Sequence, residues 1–205
     1  MWCTGVILAG GGATRFGGRA KGLERVGGVR IIDRVAQALA ASTDELLLIA
    51  NDPEATTWLP GVRLAADVRP GEGSLGGLHA ALAHAQGAVL VVAWDMPFVP
   101  TGLLTALRSL GEAGADAALA ESGSRRGMEP MCAYYAPPCR PAIERRLDAG
   151  DRRVISFFDD VRVARLVEHD VASFGPAEML FMNVNAPEDL AIANAYAATA
   201  VDRRT

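Results

Sequence analysis

Three cysteines, three histidines, three tryptophans and three tyrosines are all that this chain of 205 residues holds of those types. Cys3, Cys132 and Cys139 have no metal-ligand spacing and are too few for a disulfide scaffold, so they read as reduced, buried thiols. His79, His84 and His169 have no Cys or His partners at ligand spacing. His79 and His84 stand five apart, off one helix face, so all three read as ordinary helix or surface residues, and no Ser-His-Asp arrangement can be drawn. A basic excess is missing too: 20 Lys and Arg face 24 Asp and Glu, a net charge of -4, which argues against a nucleic-acid surface. No apolar run approaches the roughly 18 residues that span a bilayer, so no membrane partner is expected. Met1-Trp2-Cys3 leads into the first strand without a basic n-region or cleavage site, and a cytoplasmic protein is expected. Internal repeats, low-complexity tracts and long linkers are absent, which leaves a single domain over residues 1–205.

What is present is an apolar half of the composition, enough for a sizeable core, and 22 glycines. The glycines concentrate after the first strand, in VILAGGGATRFGGRAK over residues 6–21. The apolar run 6–9 feeds a turn whose glycines let backbone approach a ligand closely. Bare N–H groups in such a turn form an anion nest, and Arg15 and Lys21 put two cations beside it. That combination points to a polyphosphate; the plainer alternative is a surface loop with solvated charges. The P-loop pattern fails, because Lys21 lies between Ala20 and Gly22. The dinucleotide pattern fails as well, because Arg15 stands where its third glycine belongs.

Along the rest of the chain, apolar periodicity predicts helices over 30–41, 75–85, 99–110 and 140–149, a short one over 154–159, and a C-terminal helix from Pro187. Apolar runs predict strands over 45–50, 62–66, 88–93, 116–120, 131–135 and 163–167. Alternating strands and helices predict an α/β domain with a mostly parallel sheet; the short link between 50 and 62 is the weakest crossover.

Ligands of open α/β sheets bind beyond the carboxyl ends of the strands. The first strand ends in the glycine turn, the second in Asn51, the third in Asp67 and the fourth in Asp95. Asp95, after the continuous run AVLVVA, suits Mg2+, which takes one or two carboxylates plus substrate phosphates. The competing role is an Asx-turn before Pro97. Asn51 offers donor and acceptor to a base or ribose, and Asp67 accepts from a guanine edge; both are also ordinary turn residues. In FMNVNAPED, Asn183 and Asn185 precede Pro187. With Pro187 at the first helical position, Asn185 sits one residue too early to cap.

The string LAGGGATRFGGRAKG resembles the signature LAGGxxxRMGGxDKG of the molybdenum cofactor guanylyltransferases, with Phe16 for Met and Ala20 for the acidic residue. WDMPFVP is similar to that family's CDTPFIP, GSLGG to its GPLAG with Ser74 for proline, and FMNVNAPED to its FxNxNTPxD. The resemblance runs from about Thr4 to Tyr196. It implies a three-layer α/β/α, glycosyltransferase-A-like nucleotidyltransferase fold, with a nucleotide half over about 1–110 and an acceptor half over about 111–205. It implies GMP transfer from GTP to molybdopterin carrying molybdenum. Leu8, Ala9, Gly10, Gly11, Arg15 and Lys21 would hold GTP, Asn51 and Asp67 the guanine, Asp95 the Mg2+, and Asn183 and Asn185 the pterin side. Glu129-Pro130-Met131-Cys132 is similar to a strand on the second-substrate side, with Met and Cys read as core. Asp151-Arg152-Arg153 resembles a basic turn that either contacts a pterin phosphate or is solvated. A monomer is expected, with molybdoenzymes or cofactor-delivery proteins downstream. The alternatives are a cytidylyltransferase, whose relatives read LAAG where this chain has Leu8-Ala9-Gly10-Gly11, and a non-catalytic nucleotide or cofactor carrier.

Overall fold

Apolar runs with no polar face must be covered on both sides, and the chain folds accordingly. The computed structural model describes residues 1–10, 20–123 and 127–202. β1 (Cys3–Ala9) is followed by a 3-10 turn (Lys21–Leu23), a small hairpin of β2 (Arg25–Val26) and β3 (Val29–Arg30), and helix α1 (Ile31–Ala40). Next come β4 (Glu45–Ala50), a 3-10 turn (Pro53–Thr57), β5 (Arg63–Ala65), α2 (Gly73–His84), β6 (Ala88–Ala93) and α3 (Thr101–Glu112). The remainder supplies β7 (Ala117–Glu121), β8 (Met128–Tyr135), α4 (Cys139–Asp148), β9 (Val163–Leu166), the short helices α5 (Glu168–Val171) and α6 (Ala177–Leu180), and α7 (Pro187–Asp202).

Among the described residues, seven strands form one sheet in the order β5-β4-β1-β6-β8-β7-β9. β8 runs antiparallel to β6 and β7, and every other pairing is parallel. Successive residues of a strand point to opposite faces. Ile7, Leu48, Leu90 and Val92 therefore join one core with Ile31, Ile32, Val35 and Leu39 of α1 and Leu103, Leu104 and Leu107 of α3. Val6, Leu8, Leu47, Ile49, Val89 and Val91 join the other with Leu75, Leu78 and Leu82 of α2 and Ile143 and Leu147 of α4. The result is the expected three-layer α/β/α arrangement with a mostly parallel mixed sheet.

The crossover between β4 and β5 does form a parallel pair, with the Pro53–Thr57 turn as its link. Asp52 accepts from the Glu54 N–H and starts that turn, and buried Trp58 closes it. Other expectations need correction. The short helix expected over 154–159 is a series of turns followed by a 3-10 turn (Phe158–Asp160). Bonds of Ser156, Phe158 and Asp160 reach back only three residues, while Val154 and Phe157 are buried and fix the path. β8 begins at Met128 rather than 131 and carries Pro130, where the pairing with β7 shifts register between Leu119 and Glu121. α2 starts two residues earlier than its apolar stripe, at Gly73.

β5, β4, β1 and β6 all end at one edge. The chain builds outward from β1 to β4 and β5, then returns to place β6 on the other side of β1. That reversal of strand order makes a crevice beside β1, where ligands of such sheets bind.

Candidate active site

A cleft of about 470 Å³ opens at this edge, within the usual size range for small-molecule sites. It is lined by residues from Leu8 to Gly10, by Lys21, Asn51 and Asp67, by the Gly71–Gly77 region, by Trp94 and Asp95, and by Asn183. The structure thus brings together strand ends that lie far apart in the chain. Arg15 and Gly11, together with Gly12, Phe16, Gly17 and Gly18, lie outside the described residues.

Lys21 and Asp95 form the charged centre of the cleft. The Lys21 ammonium donates to Asp95 Oδ2 and, at 2.8 Å, to Asn185 Oδ1. Both side chains of the ion pair are mostly buried, 12% and 7% exposed. Asp95 Oδ1 is buried and has no hydrogen-bond partner among the described residues. Asp95 Oδ2 accepts from Lys21, Oδ1 has no partner among the described residues, and Pro97, two residues on, has no N–H to give, so Asp95 does not serve as an Asx-turn residue. A buried carboxylate oxygen left open beside a lysine suits a cation that takes one protein carboxylate and completes its shell with phosphate oxygens and water. No group of three or more His, Cys, Asp and Glu able to hold a metal occurs among the described residues. Asp95 is thus a single carboxylate donor that would need ligand oxygens to complete a divalent cation's shell.

Asn185 reaches this centre from the far end of the chain. The Val184 N–H donates to the Asp95 carbonyl at 2.9 Å, which pins the 183–185 segment beside β6. Asp189 Oδ2 accepts from the N–H groups of Asn185 and Ala186 at 2.8 and 2.9 Å. The carboxylate in the first turn of α7 thus does the capping, and the Asn185 side chain is free to hold Lys21. Asn183 lines the cleft without touching Lys21; its amide donates to the Phe181 carbonyl at 3.0 Å.

At the other end of the cleft, Asn51 and Asp67 bond to each other. Asn51 Nδ2 donates to Asp67 Oδ2 at 2.7 Å, and the Asp67 N–H donates to Asn51 Oδ1 at 2.9 Å. The other carboxylate oxygen of Asp67 faces Gly77, 3.9 Å from where a β-carbon there would sit. Asn51 thus orients Asp67, a pairing that sequence alone did not indicate.

One group at the cleft differs from expectation. Met131 lines the cleft, whereas Cys132 is core. His79 is an ordinary helix residue, buried within α2 with its Nε2 3.0 Å from Glu144 Oε1. Arg152 pairs with Glu72, and Arg153 with Asp151 at 2.6 Å, so both cations of this turn have acidic partners. They flank a second depression of about 710 Å³ that shares Ser74 with the main cleft.

Sequence reasoning also missed an aromatic stack. Trp94, directly before Asp95, lies on Trp58 with ring centroids 5.0 Å apart and planes 22° from parallel. Both indole N–H groups are buried without a partner among the described residues, an arrangement that costs about 1–3 kcal/mol per donor. The only available hint was a tryptophan beside the candidate metal ligand.

A doubly covered sheet with a small-molecule-sized cleft, a mostly buried lysine and an open carboxylate oxygen at its switch point is the outline of a nucleotidyltransferase. Residues 5–163 match the family model of the MobA-like NTP transferase domain. A molybdenum cofactor guanylyltransferase of Cereibacter sphaeroides is 36% identical over 91% of this chain and 93% of its own length. One from Desulfosudis oleivorans is 33% identical over 94% of both chains. The crystal structure of molybdopterin-guanine dinucleotide biosynthesis protein A from Archaeoglobus fulgidus superposes with a TM-score of 0.80, at 27% identity, over 96% of this chain and 99% of that one. This chain belongs to the molybdenum cofactor guanylyltransferase family within the MobA-like nucleotidyltransferases.

Proposed function

We propose that the protein transfers GMP from GTP to the terminal phosphate of molybdopterin carrying molybdenum, with magnesium as the metal. The observation that carries the reading is the Lys21 ammonium held between Asp95 and Asn185 in the cleft. The backbone from Leu8 to Gly11, Arg15 and Lys21 bind the triphosphate. Asp67, oriented by Asn51, accepts from the guanine N1–H and N2–H. Asn183 and Asn185 face the pterin side. Residues 1–110 then form the nucleotide half and 111–205 the acceptor half of one domain.

An oxygen of the acceptor phosphate attacks the α-phosphorus, the bond to the bridging oxygen breaks, and pyrophosphate leaves with the electron pair. The attacking oxygen is already ionised at neutral pH, so the protein supplies position and charge rather than a strong base. Lys21 holds its positive charge against the phosphates, and Asn185 keeps the ammonium from swinging out of the cleft. Asp95 would hold the metal through its open oxygen. When bound, magnesium supplies charge neutralisation for the phosphates and the departing pyrophosphate.

Lys21→Ala and Asp95→Ala are each expected to lower the turnover of folded protein by about tenfold or more, the scale of one lost electrostatic contact. Steady-state pyrophosphate release checks this, and wild-type rates in either variant would refute that residue's role.

A further inference from the structure

We propose that Trp94 is a positioning residue for Lys21 and acts through Gly22; the inference rests on the role given to Lys21 above. A β-carbon on Gly22 would fall 2.4 Å from Cε3 and 2.7 Å from Cδ2 of Trp94. The backbone of the residue after the lysine therefore lies against the indole, at a separation that no side chain on residue 22 permits. Among the described residues, the turn that carries Lys21 is otherwise held by the packing of Ala20 and Leu23 against the core and by the Ile31 N–H, which donates to the Glu24 carbonyl at 2.9 Å; neither contact touches the lysine or Gly22 itself. The turn is one 3-10 turn, closed by Leu23 N–H to the Ala20 carbonyl and Glu24 N–H to the Lys21 carbonyl, with no side-chain cap. The lysine stem is long and flexible, so where its ammonium comes to rest depends on where that turn is held.

Trp94 is itself fixed. It directly follows β6, its N–H donates to the Leu8 carbonyl at 3.1 Å, and it is 4% exposed. Trp58, from the crossover between β4 and β5, stacks on its ring. Neither indole uses its N–H among the described residues, so these rings serve by their faces and not by their donors. A smaller apolar side chain at 94 would avoid a buried, unpaired donor but would not reach both Trp58 and Gly22. With the ring removed, the turn settles toward β6 and the ammonium leaves its place between Asp95 and Asn185. A misplacement of about 1 Å at a reacting centre can cost on the order of 100-fold in rate.

The test is a double-mutant cycle on the full chain with GTP, Mg2+ and molybdopterin, measuring kcat and KM for Trp94→Ala, Lys21→Ala and the pair, with Trp94→Phe as the conservative variant. A thermal melt of each protein accompanies the kinetics. We expect Trp94→Ala to lower kcat by about tenfold or more in the wild-type background but by less than about twofold when Lys21 is already alanine. Trp94→Phe, which keeps a ring under Gly22, should retain more activity than the alanine variant. Equal losses in the two backgrounds would mean that the ring supports the fold in general and would overturn the proposal. So would unchanged kcat in Trp94→Ala while Lys21→Ala is slow. Wild-type turnover in Lys21→Ala would instead refute the role of the lysine itself. If Trp94→Ala does not fold, Gly22→Ala, whose methyl pushes the turn off the indole, enters the same cycle with the same expectations.

Discussion

In the proposed reading, Asp67 and Asn51 divide the work of base recognition unequally. The two atoms of the Asn51 amide are engaged with the Asp67 carboxylate and N–H, so removing the asparagine acts on the base through the aspartate. Removing the carboxylate takes away the acceptor itself. Asp67→Asn is expected to raise KM for GTP by about tenfold, the scale of a charged hydrogen bond lost to a neutral one, and Asn51→Ala by less. Inosine triphosphate, which lacks the 2-amino group, should bind wild type more weakly than GTP and Asp67→Asn about equally. Steady-state titrations with the two nucleotides check this; undiminished preference for GTP in Asp67→Asn would contradict it. The sequence made Asn51, Asp67 and Asp95 visible because each follows an apolar strand. It did not reveal which of them bond to each other, since that depends on β4 and β5 lying side by side.

At the scale of elements, the continuous apolar runs were the most legible feature, because a strand covered on both faces needs no alternation. The direction of β8 was not legible: nothing in MEPMCAYY distinguishes a strand running against its neighbours from one running with them. The start of α7 was half-legible. Pro187 marked it, but the cap came from Asp189, inside the first turn rather than before it. The entry to β7 is held by Asp116, which is buried and accepts from the Arg162 N–H, Nε and Nη2 at 2.9 to 3.0 Å. These hydrogen bonds hold its carboxyl below the usual carboxylate range, against the opposing effect of burial. A depressed carboxylate contributes stability that is complete above its unfolded pKa, near 4, and is lost as pH falls through the lower folded value. Because Arg162 is largely exposed, the contribution is modest. Asp116→Asn should lower Tm by about 2–4 °C at pH 7, the shift expected for about 1 kcal/mol in a chain of this size. The gap should narrow as the pH is taken below about 4. Melting curves at both pH values decide it, and a gap of the same size at pH 3 would sink the explanation.

At the scale of the whole molecule, the three cysteines report on the two cores. Burial pushes the Cys3 thiol up to about 11 and Cys139 up to about 12, and Cys132 higher still. All three are buried on the sheet or at the start of α4. At pH 8 fewer than about one thiol in a hundred would be ionised, and none is open to reagent. A thiol-reactive dye should therefore label none of them in the native protein and all three in guanidinium, as counted by intact-mass spectrometry. Prompt labelling of the native protein would contradict the burial of that site.

The central claim is a reaction, guanylyl transfer at the edge where β1, β4 and β6 end. The most direct measurement supplies the protein with molybdopterin, Mg2+ and equal concentrations of GTP and CTP, and identifies the dinucleotide product by mass spectrometry while pyrophosphate is counted. The account predicts the guanine dinucleotide with one pyrophosphate released for each product formed. A cytosine dinucleotide, or nucleotide binding without any dinucleotide, would contradict it.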